Sequence, residues 1–215
     1  MDKNNQIHEL LLENKRLFLD ADDFFKGKDA GICFDGIVHE ATFEDMPLKL
    51  AFLLKDTNSN DENGKRPENP GDWDYRNWLE RDQSVMPNIE PVPKEKKFYG
   101  KTYNKIAMWV ESFFSAYQRE TRKAFDEFEK SFLMCEEKKR AALRKIAIVN
   151  MKKTWGTSSI SDKELKKYLE SEEVQEVLEK ELEIIKPDIV ICGSTYWLIK
   201  EIFSRRENNC VQERV

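Results

Sequence analysis

The sequence lacks several features that mark whole classes of protein. Its 215 residues contain no apolar run near the ~20 residues that a helix needs to cross a bilayer. The first residues are acidic and amide-rich where a secretory signal is basic and apolar, so the cytoplasm is the expected compartment. The four cysteines form no CxxC pair and there are only two histidines, so we expect no metal site. No GxGxxG, Walker loop or GxSxG elbow occurs, so we expect no cofactor.

Charge is abundant but unevenly distributed. Charged residues make up 36% of the chain and the net charge is −5, which argues against a strongly basic coat for nucleic acid. The stretch 94–153 nevertheless holds 16 Lys and Arg against 8 Asp and Glu, so the rest of the chain is strongly acidic. This asymmetry predicts a cationic face that could bind phosphates. The alternative is an ordinary charged helical surface.

Three short apolar runs predict the strands of a buried sheet. They cover residues 50–54, 146–150 and 189–192, and stretches with helical periodicity separate them. This alternation is typical of an α/β fold with a short parallel sheet flanked by helices in three layers. We expect a single domain over 1–215 with a basic helical insertion around 94–145. The helices are predicted at 5–26, 102–117, 120–142, from Ser161 to Pro187, and after Gly193, and 31–38 is predicted as a short strand or an extended lead-in.

Polar residues follow each predicted strand directly. These segments are Lys55–Asn58, Asn150–Thr154 and Gly193–Thr195. In an open parallel sheet, ligands bind at the carboxyl ends of the strands. Three polar strand ends therefore predict a binding site at one edge of the sheet.

The side chains at these ends suggest particular roles. Asp56 could activate water or stabilise a developing cation, although Asp56 or Asn58 could equally cap a turn. Asn150 can donate and accept at once, which suits the edge of a base, or it could satisfy loop backbone. Groups suited to phosphate follow it, with solvated side chains as the alternative: Lys152, Lys153, Ser158 and Ser159.

The order of three motifs resembles the uracil-DNA glycosylase superfamily, in a divergent bacterial branch. The motifs are LAFLLKDTN, KIAIVNMKKT and KPDIVICGSTYWLIKEI, spread over about residues 30–204. The resemblance implies a glycosylase fold and hydrolysis of the N-glycosidic bond of uracil or another modified base in DNA, without a cofactor. It implies that Asp56 promotes cleavage and that Asn150 reads the base. Further base contacts would come from Asn58, Trp73 and Tyr75, and a strand-end loop from Gly193 and Ser194.

One superfamily feature is missing from this sequence. Members usually carry a His-Pro-Ser-like loop near the C-terminus, whereas only SRRENNCVQERV follows Phe203 here. Two other functions therefore stay open. The chain could be a non-catalytic nucleic-acid-binding protein on the same fold, or an enzyme of free nucleotides or nucleosides. The excised base, the strandedness of the DNA, a role in repair or in phage defence, and the oligomeric state are not determined by the sequence.

Overall fold

The fold is described from a computed structural model, which covers residues 2–55, 67–68, 70–80, 101–117, 132, 135–156, 160–197 and 200. These ranges contain both helices and strands. The helices are α1 (Lys3–Glu13), α2 (Lys15–Ala21), α3 (Glu40–Glu44), α4 (Tyr75–Glu80), α5 (Lys101–Tyr117), α6 (Glu136–Leu143), α7 (Asp162–Tyr168) and α8 (Glu172–Ile185). The strands are β1 (Cys33–Phe34), β2 (Gly36–Ile37), β3 (Leu50–Leu54), β4 (Trp73–Asp74), β5 (Ile146–Asn150) and β6 (Ile189–Cys192).

The three predicted apolar runs are strands of one sheet, as expected, but β6 is not the buried strand that was predicted, because Ile189 is 37% and Val190 is 41% exposed. The order within that sheet is β2-β5-β3-β6, and β5, β3 and β6 run parallel. The first parallel strand in the chain, β3, thus lies between the other two. The register pairs Leu54 with Asn150 and Leu53 with Cys192, so the three strands end at the same edge.

Helices cover both faces of the sheet because β3 and β5 are apolar on both. Leu53 and Val149 pack on one side with residues of α1, α2, α7 and α8. Phe52 and Ile148 pack on the other side with residues of α4, α5 and α6. Every residue of β3 and β5 is buried, which is the pattern of strands between two helical layers. None of the helices in the described ranges has the length and hydrophobicity that crossing a bilayer requires.

The structure differs from the expected elements in several places, and the helix predicted over 120–142 is interrupted at Cys135, which is the extended N-cap of α6. The sheet is mixed, because β2 pairs antiparallel with β5, and the parallel pair β1–β4 forms a second small sheet. The helix predicted over 5–26 is two helices that meet at Asn14. The helix predicted from Ser161 to Pro187 is also divided, because Ser171 provides a second N-cap by accepting a hydrogen bond from the backbone N–H of Val174.

Candidate functional site

Backbone hydrogen bonds continue past the ends of the parallel strands and hold their polar extensions together. The N–H of Met151 donates to Leu54 O (2.8 Å), and the N–H of Lys152 donates to Lys55 O (3.0 Å). On the other side of β3, the N–H of Gly193 donates to Leu53 O (2.8 Å). The polar residues after β5 and β6 therefore flank the end of β3, which is the arrangement that ligand sites in parallel sheets use.

Asn150, the last residue of β5, is fixed by a buried carboxylate. Asp35 lies between β1 and β2, and its Oδ2 accepts from the backbone N–H of Asn150 (2.6 Å) and from its side-chain Nδ2 (2.9 Å). Asn150 is 0% exposed and Asp35 is 1% exposed. The side-chain Oδ1 of Asn150 has no hydrogen-bond partner among the residues that the structure describes. A buried polar atom left in this state costs about 1–3 kcal/mol.

Lys153 adds a positive charge to the cluster of Asn150 and Asp35. Its Nζ lies 2.5 Å from Asp35 Oδ1 and 2.7 Å from Glu181 Oε2, and Glu181 belongs to α8. Burial by itself lowers the pKa of Lys153, but the two carboxyl groups outweigh it and raise that pKa. Burial raises the pKa of Glu181 to about 8 against the opposing charge of Lys153. The raised pKa of Glu181 favours its protonated form beside the amine of Lys153.

Lys152, the residue before Lys153, forms a second buried ion pair. Lys152 Nζ is 2.8 Å from Asp22 Oδ2, and both side chains are at most 3% exposed. The hydroxyl of Thr154 also donates to Asp22 Oδ2 (2.6 Å). Burial raises the pKa of Asp22, but the attraction of Lys152 outweighs it, so the pKa lies below its usual value.

These two ion pairs place Lys152 and Lys153 in the interior. Neither the predicted phosphate contacts nor the alternative of solvated side chains fits this position. Their side chains are 1% and 0% exposed, and carboxylates already neutralise both. A phosphate could reach either amine only by displacing a carboxylate. We therefore leave both lysines out of the proposed ligand contacts.

The end of β6 is more open. The backbone of Gly193 is closely packed, because a Cβ there would lie 2.7 Å from Leu54 Cδ2 and would displace the end of that side chain. Ser194 is exposed and has a left-handed backbone (φ 63°), a strained conformation for a residue other than glycine. Thr195 is buried and donates its hydroxyl to Leu53 O (3.0 Å). Beyond it, Tyr196 and Trp197 are 54% and 76% exposed.

The aromatic residues predicted to stack on a base pack against one another. Trp73 lies in β4, half-buried, with its ring centroid 5.2 Å from that of Tyr75 and 5.5 Å from that of Trp155. Tyr75 is 2% exposed and contacts the ring of Tyr103. Burial raises the pKa of the Tyr75 hydroxyl well above its usual value. The burial of Tyr75 leaves no ring face open for a base, and in this structure it is a core residue.

Four of the predicted site residues lie outside the described residues. They are Asp56, Asn58, Ser158 and Ser159. Asp56 follows Leu54, the register partner of Asn150, by two positions. Its predicted role stays a prediction.

Three carboxylates of the buried clusters were not identified from the sequence. They are Asp22, Asp35 and Glu181. The sequence contains a signal for two of them. Asp35 is the one charged residue within the apolar run GICFDGIV, and Glu181 occupies the apolar face of α8, four residues after Val177 and four before Ile185. Charged residues at core positions are rarely buried without a partner.

The described residues form no metal centre, and the comparisons identify no family. Within the described ranges, no three His, Cys, Asp or Glu side chains lie together in a way that could hold a metal ion. Comparison of the chain with family models, curated proteins and solved structures finds no match.

Proposed function

We propose that the chain recognises a nucleobase at the carboxyl edge of its parallel strands and hydrolyses the N-glycosidic bond of a modified base in DNA. Asn150 contacts the base and Asp56 stabilises positive charge on the sugar or positions water. The motif order described above suggested this reaction. The observation that carries the proposal is the buried Asn150 amide at a strand end, held by Asp35 and with an acceptor atom that has no partner among the described residues.

The Oδ1 of Asn150, which has no hydrogen-bond partner within the described residues, supports a binding role for this side chain. Buried polar groups in native proteins are nearly all hydrogen-bonded, so an exception calls for an explanation. An amide that served only the loop backbone would use its oxygen there. Asn150 instead uses its nitrogen on Asp35 and keeps its oxygen free within the described part of the chain. A ligand that supplies a donor would satisfy the atom and recover the lost hydrogen bond.

The strand order supports the choice of Asp56. Because β3 and β5 are neighbours and Leu54 is opposite Asn150, the chain leaves β3 beside the amide. Asp56 is two residues further on, so a short connection suffices to bring a carboxylate to the same ligand. A catalytic carboxylate and a base-reading amide on adjacent strand ends are the minimum that glycosidic hydrolysis needs.

One observation favours a second candidate, an enzyme of free nucleosides. Lys152 and Lys153 are enclosed by carboxylates, so the two cations nearest to Asn150 in the chain are not presented to a DNA backbone. Binding of duplex DNA depends strongly on such exposed cations. A nucleoside needs none of them, and the same amide and carboxylate would serve both substrates.

Cleavage assays with matched variants test the proposal. Oligonucleotides with different modified bases, followed by alkali treatment, report abasic sites, and free nucleosides are tested in parallel. Asp56→Asn keeps the side-chain shape and should reduce cleavage ~100-fold or more with little change in binding, since the charge acts in the transition state. Asn150→Ala should weaken binding and cleavage together. Asn150→Asp is a poor test, because it would set a second carboxylate against Asp35.

The outcomes separate the candidates. Asp45→Asn, at an exposed position after α3, is the control and should retain full activity. Equal cleavage by folded Asp56→Asn and wild type would refute the catalytic assignment. Release of base from nucleosides alone would favour the second candidate. Binding of DNA without cleavage of any base would indicate a non-catalytic binding protein.

A further inference from the structure

The buried cluster determines which way the Asn150 amide faces. Asp35 Oδ2 already accepts from the backbone N–H of Asn150 and Asp35 Oδ1 contacts the Lys153 amine, so the side-chain atom of Asn150 at Oδ2 is the donor, its amide nitrogen. The oxygen then faces away from Asp35. This assignment follows from the chemistry of the partner and does not depend on distinguishing nitrogen from oxygen by shape.

Asp35 is itself held at both oxygens, so it does not turn easily. Oδ1 contacts Lys153 Nζ at 2.5 Å, and Oδ2 accepts from the backbone N–H of Asn150 at 2.6 Å as well as from its side chain. Lys153 is in turn fixed by Glu181 at 2.7 Å. Rotation of Asn150 would set its carbonyl oxygen against a buried carboxylate, which is repulsive in a medium of low dielectric.

The free atom of Asn150 is therefore always an acceptor. Its Oδ1 is buried, has no partner within the described residues, and lies on the last residue of a strand at the candidate site. In a site from which water is excluded, a ligand that lacks the matching donor leaves this atom unpaired and is rejected strongly. Access to the atom requires local opening at this edge of the sheet.

We propose that Asp35 is a positioning residue that locks Asn150 as a hydrogen-bond acceptor and thereby restricts the ligand to bases that present an N–H donor. The inference rests on the proposed function, because it assigns specificity to the same site. The donor is a ring imide N–H or an exocyclic amino group. A base whose donor is methylated is excluded, and so is one with only acceptors on the edge that meets Asn150.

Two free bases that differ by one methyl group test whether Asp35 fixes Asn150 as a hydrogen-bond acceptor. Uracil has a ring N–H donor at the position where 3-methyluracil has a methyl group. Dissociation constants are measured by titration calorimetry for the wild type, Asn150→Ala, Asp35→Asn and the control Asp45→Asn. We expect wild type and control to prefer uracil by roughly 5- to 150-fold, the range for one buried hydrogen bond. Asn150→Ala and Asp35→Asn should both lose most of this preference, since an amide at 35 permits either orientation of Asn150.

A spectroscopic measurement covers the case in which Asp35→Asn does not fold. The side-chain NH₂ signals of Asn150, assigned by their loss in Asn150→Ala, should exchange slowly with solvent in the wild type because a carboxylate binds them in the interior. Fast exchange in the folded wild type would overturn the lock. So would an unchanged uracil preference in folded Asp35→Asn, or equal binding of the two bases by the wild type.

The same data distinguish the two proposals. If the wild type cleaves DNA or nucleosides but Asp35→Asn keeps the full preference, the positioning role fails and the proposed function stands. If the wild type neither cleaves any substrate nor binds either base, the proposed function fails and the recognition role fails with it. Slow exchange of the Asn150 amide would in that case assign Asp35 to structure alone.

Discussion

The ends of β5 and β6 lie on either side of β3 but are built in opposite ways. After β5, the chain enters the interior, and Asn150, Lys152 and Lys153 are at most 1% exposed, with the two charges paired. After β6, the chain comes to the surface, and Tyr196 and Trp197 expose most of their rings. One strand end is a rigid polar cluster and the other is an open aromatic surface.

The two strand ends can therefore supply different properties to a binding site. Buried, mutually fixed polar groups discriminate between ligands, because a mismatch leaves a desolvated group unpaired. Exposed aromatic rings instead offer contact area to any flat partner. We therefore expect stability and specificity to depend on the β5 end, and we expect only contact energy to depend on the β6 end.

The largest expected effect comes from removing the central cation of the β5 cluster. Lys153→Met keeps much of the side-chain volume but leaves Asp35 and Glu181 without their shared partner. Breaking a buried ion pair on one side costs about 3–5 kcal/mol, so the urea midpoint should fall sharply. The control is Lys167→Met, which removes an exposed amine from its 2.5 Å pair with Asp23 and should leave the midpoint nearly unchanged. Similar midpoints for the two variants would show that the cluster is not a stabilising core.

A second effect, spread over several pH units, should follow from pH. Burial and the neighbouring Asp35 raise the pKa of Glu181 from 4.5 to about 8, although the charge of Lys153 opposes this shift. Arg76 is a further charged group near Glu181. The folded state therefore keeps a proton that the unfolded state releases above pH 4.5. The associated stability is fully present below that pH and is lost as pH rises through 8, with a slope of up to ~1.4 kcal/mol per pH unit.

Chemical denaturation between pH 5 and 9 checks this slope. Glu181→Gln mimics the protonated acid and should flatten the profile, so that the variant becomes relatively more stable at pH 9. Glu183→Gln, exposed on the same helix, should keep the wild-type profile. The shifts of Lys153 and Asp22 act outside this window, since the first is raised from 10.5 and the second is lowered from 3.8. A flat wild-type profile would contradict the protonated state of Glu181.

The sequence predicts the positions of the strands better than it predicts the β5 cluster, although it wrongly predicts that β6 is buried. Runs such as LAFLL and IAIVN identify buried strands because apolar residues on both faces have no other favourable place. Local signals also identify the polar ends. They do not reveal that Lys152 and Lys153 turn inward, since their partners Asp22 and Asp35 are more than 110 residues away along the chain. Pairing over such a distance is decided by tertiary packing. An isolated Asp within an apolar run and a Glu on an apolar helix face are the only local indications.

The smallest effect on stability, and the clearest sign of the open end, is expected from Trp197. Its ring is 76% exposed and contacts Tyr196 with a centroid distance of 5.4 Å, so Trp197→Ala should change the free energy of unfolding by no more than about 0.5 kcal/mol. If nucleic acid binds at this edge, stacking of a base on the ring contributes ~1–3 kcal/mol, and affinity for a single-stranded oligonucleotide should fall roughly 5- to 150-fold. Trp109→Ala is the matched control, because Trp109 is 62% exposed but belongs to helix α5 and does not follow a strand in the sequence. Fluorescence anisotropy with a labelled oligonucleotide measures both variants. Equal losses for the two tryptophans would mean that exposed rings bind the strand without regard to position, and the contrast between the two strand ends would then carry no functional meaning.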